Sequence, residues 1–200
     1  AYNVANALAA AAACDALGMA PRTIADGLLS FAQDEAANPG RLNLFARRGV
    51  LALVDFAHNE AGLVGLLEVC RRLAAVRGGR VRLALGTAGD RSDQILYRLG
   101  VVAAGADDLV ICEKRYYLRG RDRRQMNAIF RAGARDGGYQ PVVEVYRTEL
   151  GALRALLGRS RRGDVAAVMS HVERAEIFAW LAANGFRSVT LARLRVFLAG

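Results

Sequence analysis

The residues most able to do chemistry are clustered at the ends of apolar runs. Of the two histidines in the chain, His58 lies in Asp55-Phe56-Ala57-His58-Asn59-Glu60, directly after Val50-Leu51-Ala52-Leu53-Val54. The other, His171, follows Val165–Met169 and precedes Glu173. A carboxylate at Asp55 can orient an imidazole or accept from a ribose hydroxyl. An imidazole at His58 can donate to a phosphate or stabilise developing charge. The plainer reading is that Asp55 and His58 cap the helix that follows, since a helix N-terminus favours acceptors. His171, beside Glu173, reads first as a neighbour of a helix cap.

Two further stretches carry polar chemistry. Gly86 to Arg91, GTAGDR, has small residues that let backbone amides approach an anion, and Arg91 can clamp a carboxylate or phosphate. It lacks the Gly-Lys-Ser/Thr ending of a P-loop. Lys114, Arg115, Arg119, Arg121, Arg123 and Arg124 surround Tyr116 and Tyr117. That cluster suits an acidic polymer or a carboxylate, or is simply a solvated loop and helix start.

Composition excludes several function classes. The net charge is +9, from 28 Lys+Arg against 19 Asp+Glu, and Lys114 is the sole lysine. Arginine favours bidentate binding of carboxylate or phosphate, although a GC-rich genome produces the same bias. No aromatic-interleaved basic patch marks a nucleic-acid surface, so no nucleic-acid partner is expected. Cys14, Cys70 and Cys112 are scattered among apolar residues, as buried thiols in a reducing compartment would be. No HExxH and no Cys–His set is present, so no metal ligands are expected in this chain. The serines lack a nucleophile-elbow context. No apolar run reaches about 18 residues, and the alanine-rich start has no basic n-region. These features lead us to expect a cytoplasmic protein with no membrane partner.

The elements that must position these residues alternate strand and helix. Residues 1–18 have helical propensity with Gly18 as the stop, and a short helix should run from Arg22 to Leu29. Asn38-Pro39-Gly40 is a strong turn signal and the candidate domain boundary. Arg41–Arg47, the Arg48-Gly49 turn and Val50–Val54 read as a hairpin. Then come a helix over 61–76, a strand over 81–85, a helix over 94–104 and a strand over 109–112. A helix over 123–135, a strand over 142–146 and a helix over 149–157 follow. The last units are a strand over 165–169, a helix over 173–183 and a possible strand within 188–198. Repeated βα units imply an α/β fold, a Rossmann-like, mostly parallel sheet with helices on both faces. In such sheets ligands bind at the carboxyl ends of the strands. Asp55 to Glu60, Gly86 to Arg91, Glu113 to Arg121 and Ser170 to Glu173 all fall there.

These motifs, in this order, resemble the carboxyl-terminal part of the Mur ligase superfamily, and within it the ligase half of the cyanophycin synthetases. Tyr2-Asn3-Val4-Ala5-Asn6-Ala7 looks like the HNxxNxxAA helix that closes the central ATPase domain. Pro39-Gly40-Arg41-Leu42-Asn43 is similar to the segment that opens the C-terminal domain. Asp55-Phe56-Ala57-His58-Asn59 is similar to the D-Y/G-A-H-N-P signature, Gly89-Asp90-Arg91 to a GDR element, and Leu118-Arg119-Gly120-Arg121 to an LRGR element.

The resemblance implies an ATP-dependent amide ligase that activates a carboxylate as an acyl phosphate. It implies a helical end of the central ATP-binding domain over 1–38 and a C-terminal Rossmann-like domain over 39–200. Asn6, Arg41 and Asp55 would reach ATP, at adenine, phosphate and ribose respectively. His58 and Asn59 would complete the closed catalytic site. Asp90, Arg91 and Arg119 would be the substrate-binding residues, with Arg91 and Arg119 holding the carboxylate of an amino acid or peptide-like substrate. The P-loop and the Mg²⁺ ligands are expected in an upstream ATPase domain of a longer chain, without which the fragment should be inactive. Tyr2 stands where many relatives have histidine, and Glu60 where the signature has proline. A homo-oligomer is left open. The competing expectation is a catalytically silent module that holds an acidic polymer or partner on its arginine-rich edge. A dinucleotide-dependent enzyme fits poorly, because no GxGxxG follows the first strand.

Overall fold

The computed structural model describes residues 2–31, 35–189 and 194. Contacts divide the chain into two compact units, Ala1–Gln33 and Asp34–Gly200. The first holds α1, Tyr2–Ala16, and α2, Pro21–Leu29. Helix α1 stops in a Schellman motif: the amide of Met19 donates to Cys14 at 3.1 Å and that of Gly18 to Asp15 at 2.8 Å. Helix α2 starts on Pro21, whose missing N–H is no loss at a first turn, and buries no residue.

The second unit opens with β1, Asn43–Arg47, and β2, Val50–Asp55, paired antiparallel. Arg48 and Gly49, at φ +50° and +81°, form the tight turn of the hairpin. The chain then runs α3 (Glu60–Ala75), β3 (Val81–Leu85), α4 (Asp93–Ala103), β4 (Asp108–Cys112), α5 (Arg123–Asp136), β5 (Glu144–Tyr146), α6 (Glu149–Arg159), β6 (Val165–Met169), α7 (Arg174–Ala183) and β7 (Arg187–Ser188). The sheet order is β5-β4-β3-β6-β2-β1-β7, with β5 to β2 parallel and β1 antiparallel to both of its neighbours. Strand β5 is shorter than the sequence suggests. Val142 is 88% exposed at the sheet edge, so its apolar character reflects no burial. Of the expected last strand only Arg187–Ser188 is seen, and most of 188–198 lies outside the described residues.

The strands read as continuous apolar runs because both faces are covered. Leu51, Leu53, Leu83, Leu85, Leu109 and Ile111 face one core, which they share with Leu63, Leu66 and Leu67 of α3, Leu96 and Leu99 of α4, and Phe130 of α5. Ala52, Val54, Ala84, Ala166 and Val168 face the other, with Leu153 and Leu156 of α6 and Ile177 and Leu181 of α7. Large side chains on one face and small ones on the other follow the period of two along each strand. Strand β6 is inserted between β2 and β3, so the chain reverses its direction of travel across the sheet there. This is where open α/β sheets place their ligands.

Candidate functional site

Asp55 ends β2 and is 7% exposed. One carboxylate oxygen accepts from the amide of Ala57 at 2.7 Å, the other from the amide of Leu42 at 2.8 Å. Burial pushes its pKa above the ordinary carboxylate value; the two amides and the charge of Arg41 oppose this without cancelling it. Asp55 therefore clamps the segment that carries Arg41. Asn43 secures the same segment from the other side, accepting from the amide of Gly40 and donating to the carbonyl of Asn38 at 3.1 Å. Arg41 itself is exposed, with its guanidinium carbon 5.0 Å from the centre of the Phe56 ring.

Asp55 and His58 do not pair. His58 Nδ1 lies 3.2 Å from the Phe56 carbonyl, which only accepts, so Nδ1 carries a proton. Asn59 is the N-cap of α3, accepting from the amide of Gly62 at 2.8 Å. The cap is thus Asn59, not Asp55 or His58 as the plainer reading of the sequence had it. Glu60 starts α3 and lies 3.4 Å from Arg98 of α4. Asn6 is exposed on α1 in the first unit.

The loops after β3 and β4 interlock. Arg121 donates to the Gly89 carbonyl at 2.6 Å and to the Arg91 carbonyl at 2.7 Å, and pairs with Asp93. The amide of Gly89 donates to the Tyr117 carbonyl at 3.0 Å. A Cβ at Gly89 would lie 2.0 Å from the Leu118 carbonyl oxygen. The glycine is thus needed for close approach between loops, and its amide is not available to an anion as the sequence suggested. At Gly86 a Cβ would meet Lys114 Cε at 2.6 Å. Asp90 pairs with Arg119 in the open, and that bond holds its carboxyl below the usual range. Arg119 also lies over the Tyr117 ring, 4.6 Å from its centre. Arg91 Nε is buried with no partner among the described residues. Gly89, Asp90, Asp93, Arg119, Gly120, Arg121, Asp122 and Gln125 line an open cleft of about 410 Å³.

Sequence reasoning missed the cluster behind these loops. Lys114, read as part of a solvated cationic run, is 3% exposed. Its ammonium donates to the Met169 carbonyl and to His171 Nδ1 and lies 3.0 Å from Glu149. Glu149 also accepts from Ser170 Oγ and the His171 amide, each at 2.7 Å, and from the Glu173 amide at 3.0 Å. Burial alone would raise the Glu149 pKa, but Lys114 and these donors outweigh it and hold it low. Burial, and then Lys114, keep His171 neutral, far below its ordinary pKa. With Lys114 donating to Nδ1, the ring proton sits on Nε2, which has no partner among the described residues. The one available signal was a sole lysine immediately after an apolar strand. Among the described residues no group of His, Cys, Asp and Glu could hold a metal ion, and no helix is long and apolar enough to cross a membrane.

Residues 40–172 match the family described as Mur ligase, glutamate ligase domain. The chain belongs to the Mur ligase family. It is 35% identical over 122 residues to the cyanophycin synthetase of Geminocystis herdmanii, covering 61% of this chain and 14% of that protein. It is 31% identical over 170 residues to the UDP-N-acetylmuramoyl-L-alanyl-D-glutamate–2,6-diaminopimelate ligase of Streptomyces avermitilis, covering 84% and 32% respectively. Among solved structures, a pseudomurein peptide ligase type C from Methanothermus fervidus is similar, with a TM-score of 0.63 at 19% identity over 90% of this chain and 36% of that one. A bifunctional folylpolyglutamate synthase/dihydrofolate synthase with Mn, AMPPNP and L-glutamate bound gives 0.53 at 22%, over 74% and 32%. The chain spans about a third or less of the length of these curated relatives. Both the mostly parallel sheet and the family are those the motifs implied.

Proposed function

We propose that this chain is the C-terminal module of an ATP-dependent amide ligase of the cyanophycin-synthetase type, working in the cytoplasm as part of a longer chain. In this reading residues 1–38 end the central ATP-binding domain and 39–200 form the C-terminal domain. Asn38 to Gly40 is the hinge. The observation that carries it is the clamp of Asp55 on Leu42, which holds Arg41 as an exposed cation at the same sheet edge as His58 and the Asp90–Arg119 cleft.

ATP would supply the phosphoryl group that turns a substrate carboxylate into an acyl phosphate, which an amine then displaces. Arg41 fits a phosphate, as an exposed guanidinium with a fixed backbone. Asp55, engaged by two amides, still has lone pairs for a ribose hydroxyl, but its larger task is to position Arg41. In its neutral form, His58 can accept a proton or a hydrogen bond at Nε2 in the closed site. Asn59 contributes by fixing the start of α3. Arg91 and Arg119, with Asp90 steering Arg119, would receive the carboxylate of the amino acid or peptide-like substrate. Asn6 would approach adenine from the first unit. The Mg²⁺ ligands are assigned to the upstream domain, where the family resemblance implies them.

A silent module for acidic polymers is less well supported. Arg121 pairs with Asp93 and Arg123 with Glu113, so part of the arginine edge already has carboxylate partners. The test is ATP-dependent amide formation by the chain joined to its upstream domain, with a panel of amino acids. Arg41→Ala should lower turnover by about tenfold or more, the scale of one charge-assisted contact. Wild-type turnover in that variant would remove Arg41 from the site. Salt-sensitive, nucleotide-independent binding of polyaspartate, with no ligation, would favour the silent module.

A further inference from the structure

We propose that His171 is a positioning residue that couples Arg41 to Arg119 through an unbroken row of rings. The row begins with the Arg41 guanidinium, 5.0 Å from the Phe56 ring centre. Phe56 lies 4.7 Å from the His171 ring, and His171 lies 5.7 Å from the Tyr117 ring at an interplanar angle of 27°. Arg119 closes the row, 4.6 Å from the Tyr117 centre. The members come from the loops before β1 and after β2, β4 and β6, so the row ties together segments that the sheet alone leaves separate.

The middle ring is the fixed one. The His171 side chain is 1% exposed and held at Nδ1 by Lys114, which is in turn anchored by Glu149 and the Met169 carbonyl. Both ends are exposed arginines. A buried ring in contact with a ring on either side ties the placement of one to the placement of the other, so the two arginines stacked on those outer rings are coupled through it. Cation–π contact gives each arginine a reason to follow its ring. In the complete enzyme this would link the group assigned to phosphate with the group assigned to the substrate carboxylate, so the functional part of the inference rests on the proposed ligase.

The coupling is read first in the 200-residue chain, by aromatic ¹H–¹³C NMR. Arg41→Lys should shift the Tyr117 ring resonances. His171→Phe, which keeps the ring, should preserve that response, and His171→Ala should abolish it. A response that is absent in the parent chain, or unchanged in folded His171→Ala, overturns the row. If His171→Ala does not fold, Phe56→Leu tests the adjacent link by the same criterion. In the complete ligase, Arg41→Lys and Arg119→Lys should depart from additivity in kcat/KM by about threefold or more with His or Phe at 171. The two effects should become additive with Ala at 171. Additive effects in an active parent enzyme overturn the coupling. A parent enzyme without ligation, but with the NMR response intact, overturns the ligase reading alone.

Discussion

The two edges of the sheet handle buried charge differently. At the amino end, Arg82 of β3 donates to Asp108 at 2.7 Å and to Asp164 at 2.9 Å, and Asp164 also accepts from the amides of Arg80 at 2.8 Å and Arg161 at 2.9 Å. Burial by itself would raise the Asp164 pKa, yet these donors outweigh it and hold the carboxyl below its ordinary value. At the carboxyl end, Asp55 has two amide donors and stays raised, while Arg91 Nε and His171 Nε2 have no partner among the described residues. The saturated edge does the work of holding strands in register. The other saturates Glu149 in the same way, but beside it keeps groups whose hydrogen-bonding capacity the fold itself does not fill, which is what a ligand edge needs.

The largest expected effect tests the saturated edge. Arg82→Ala leaves Asp164, whose side chain is 6% exposed, without its cation and should cost roughly 3 kcal/mol or more. Urea unfolding measures it, and a loss under about 1 kcal/mol would show the network to be dispensable. Next, Gly89→Ala forces a Cβ against the Leu118 carbonyl and should separate the two interlocked loops at a cost of about 1–3 kcal/mol. The same unfolding experiment reads it, and an unchanged midpoint would mean the loops part easily.

A smaller effect distinguishes the two aspartates by pH. Asp164 has a lowered folded pKa, so its contribution to stability is present above the ordinary carboxylate pKa and is lost as pH falls through the folded value. Asp55 has a raised folded pKa, so its contribution is present below the ordinary value and lost as pH rises through the folded one. Carboxyl ¹³C titration should place Asp55 above and Asp164 below the usual aspartate range. The reverse order would undo the contrast between the edges. The smallest effect belongs to Asp90→Asn. Its pair with Arg119 is open to solvent, so the unfolding midpoint should not move while the KM for the carboxylate substrate rises. A shifted midpoint with unchanged KM would make the pair structural.

Periodicity and turn chemistry along the chain were enough to give the order of βα units, the hairpin at Arg48-Gly49 and the sheet edge that gathers the polar loops. These are local properties: apolar runs buried on both faces, helix stops and primed turns are written within a few residues. The motifs also carried the family. The insertion of β6 between β2 and β3 was decided only by the folded chain, because strand order depends on pairings between residues far apart in sequence. The same holds for the solitary Lys114. Its place after an apolar strand was the one hint, and it does not separate a solvated lysine from one buried against Glu149, 35 residues away, since desolvation is set by what packs over a group. Asp55, too, could be named as important from its neighbours, but that its oxygens grip the segment bearing Arg41 required the hairpin to bring Leu42 back beside it.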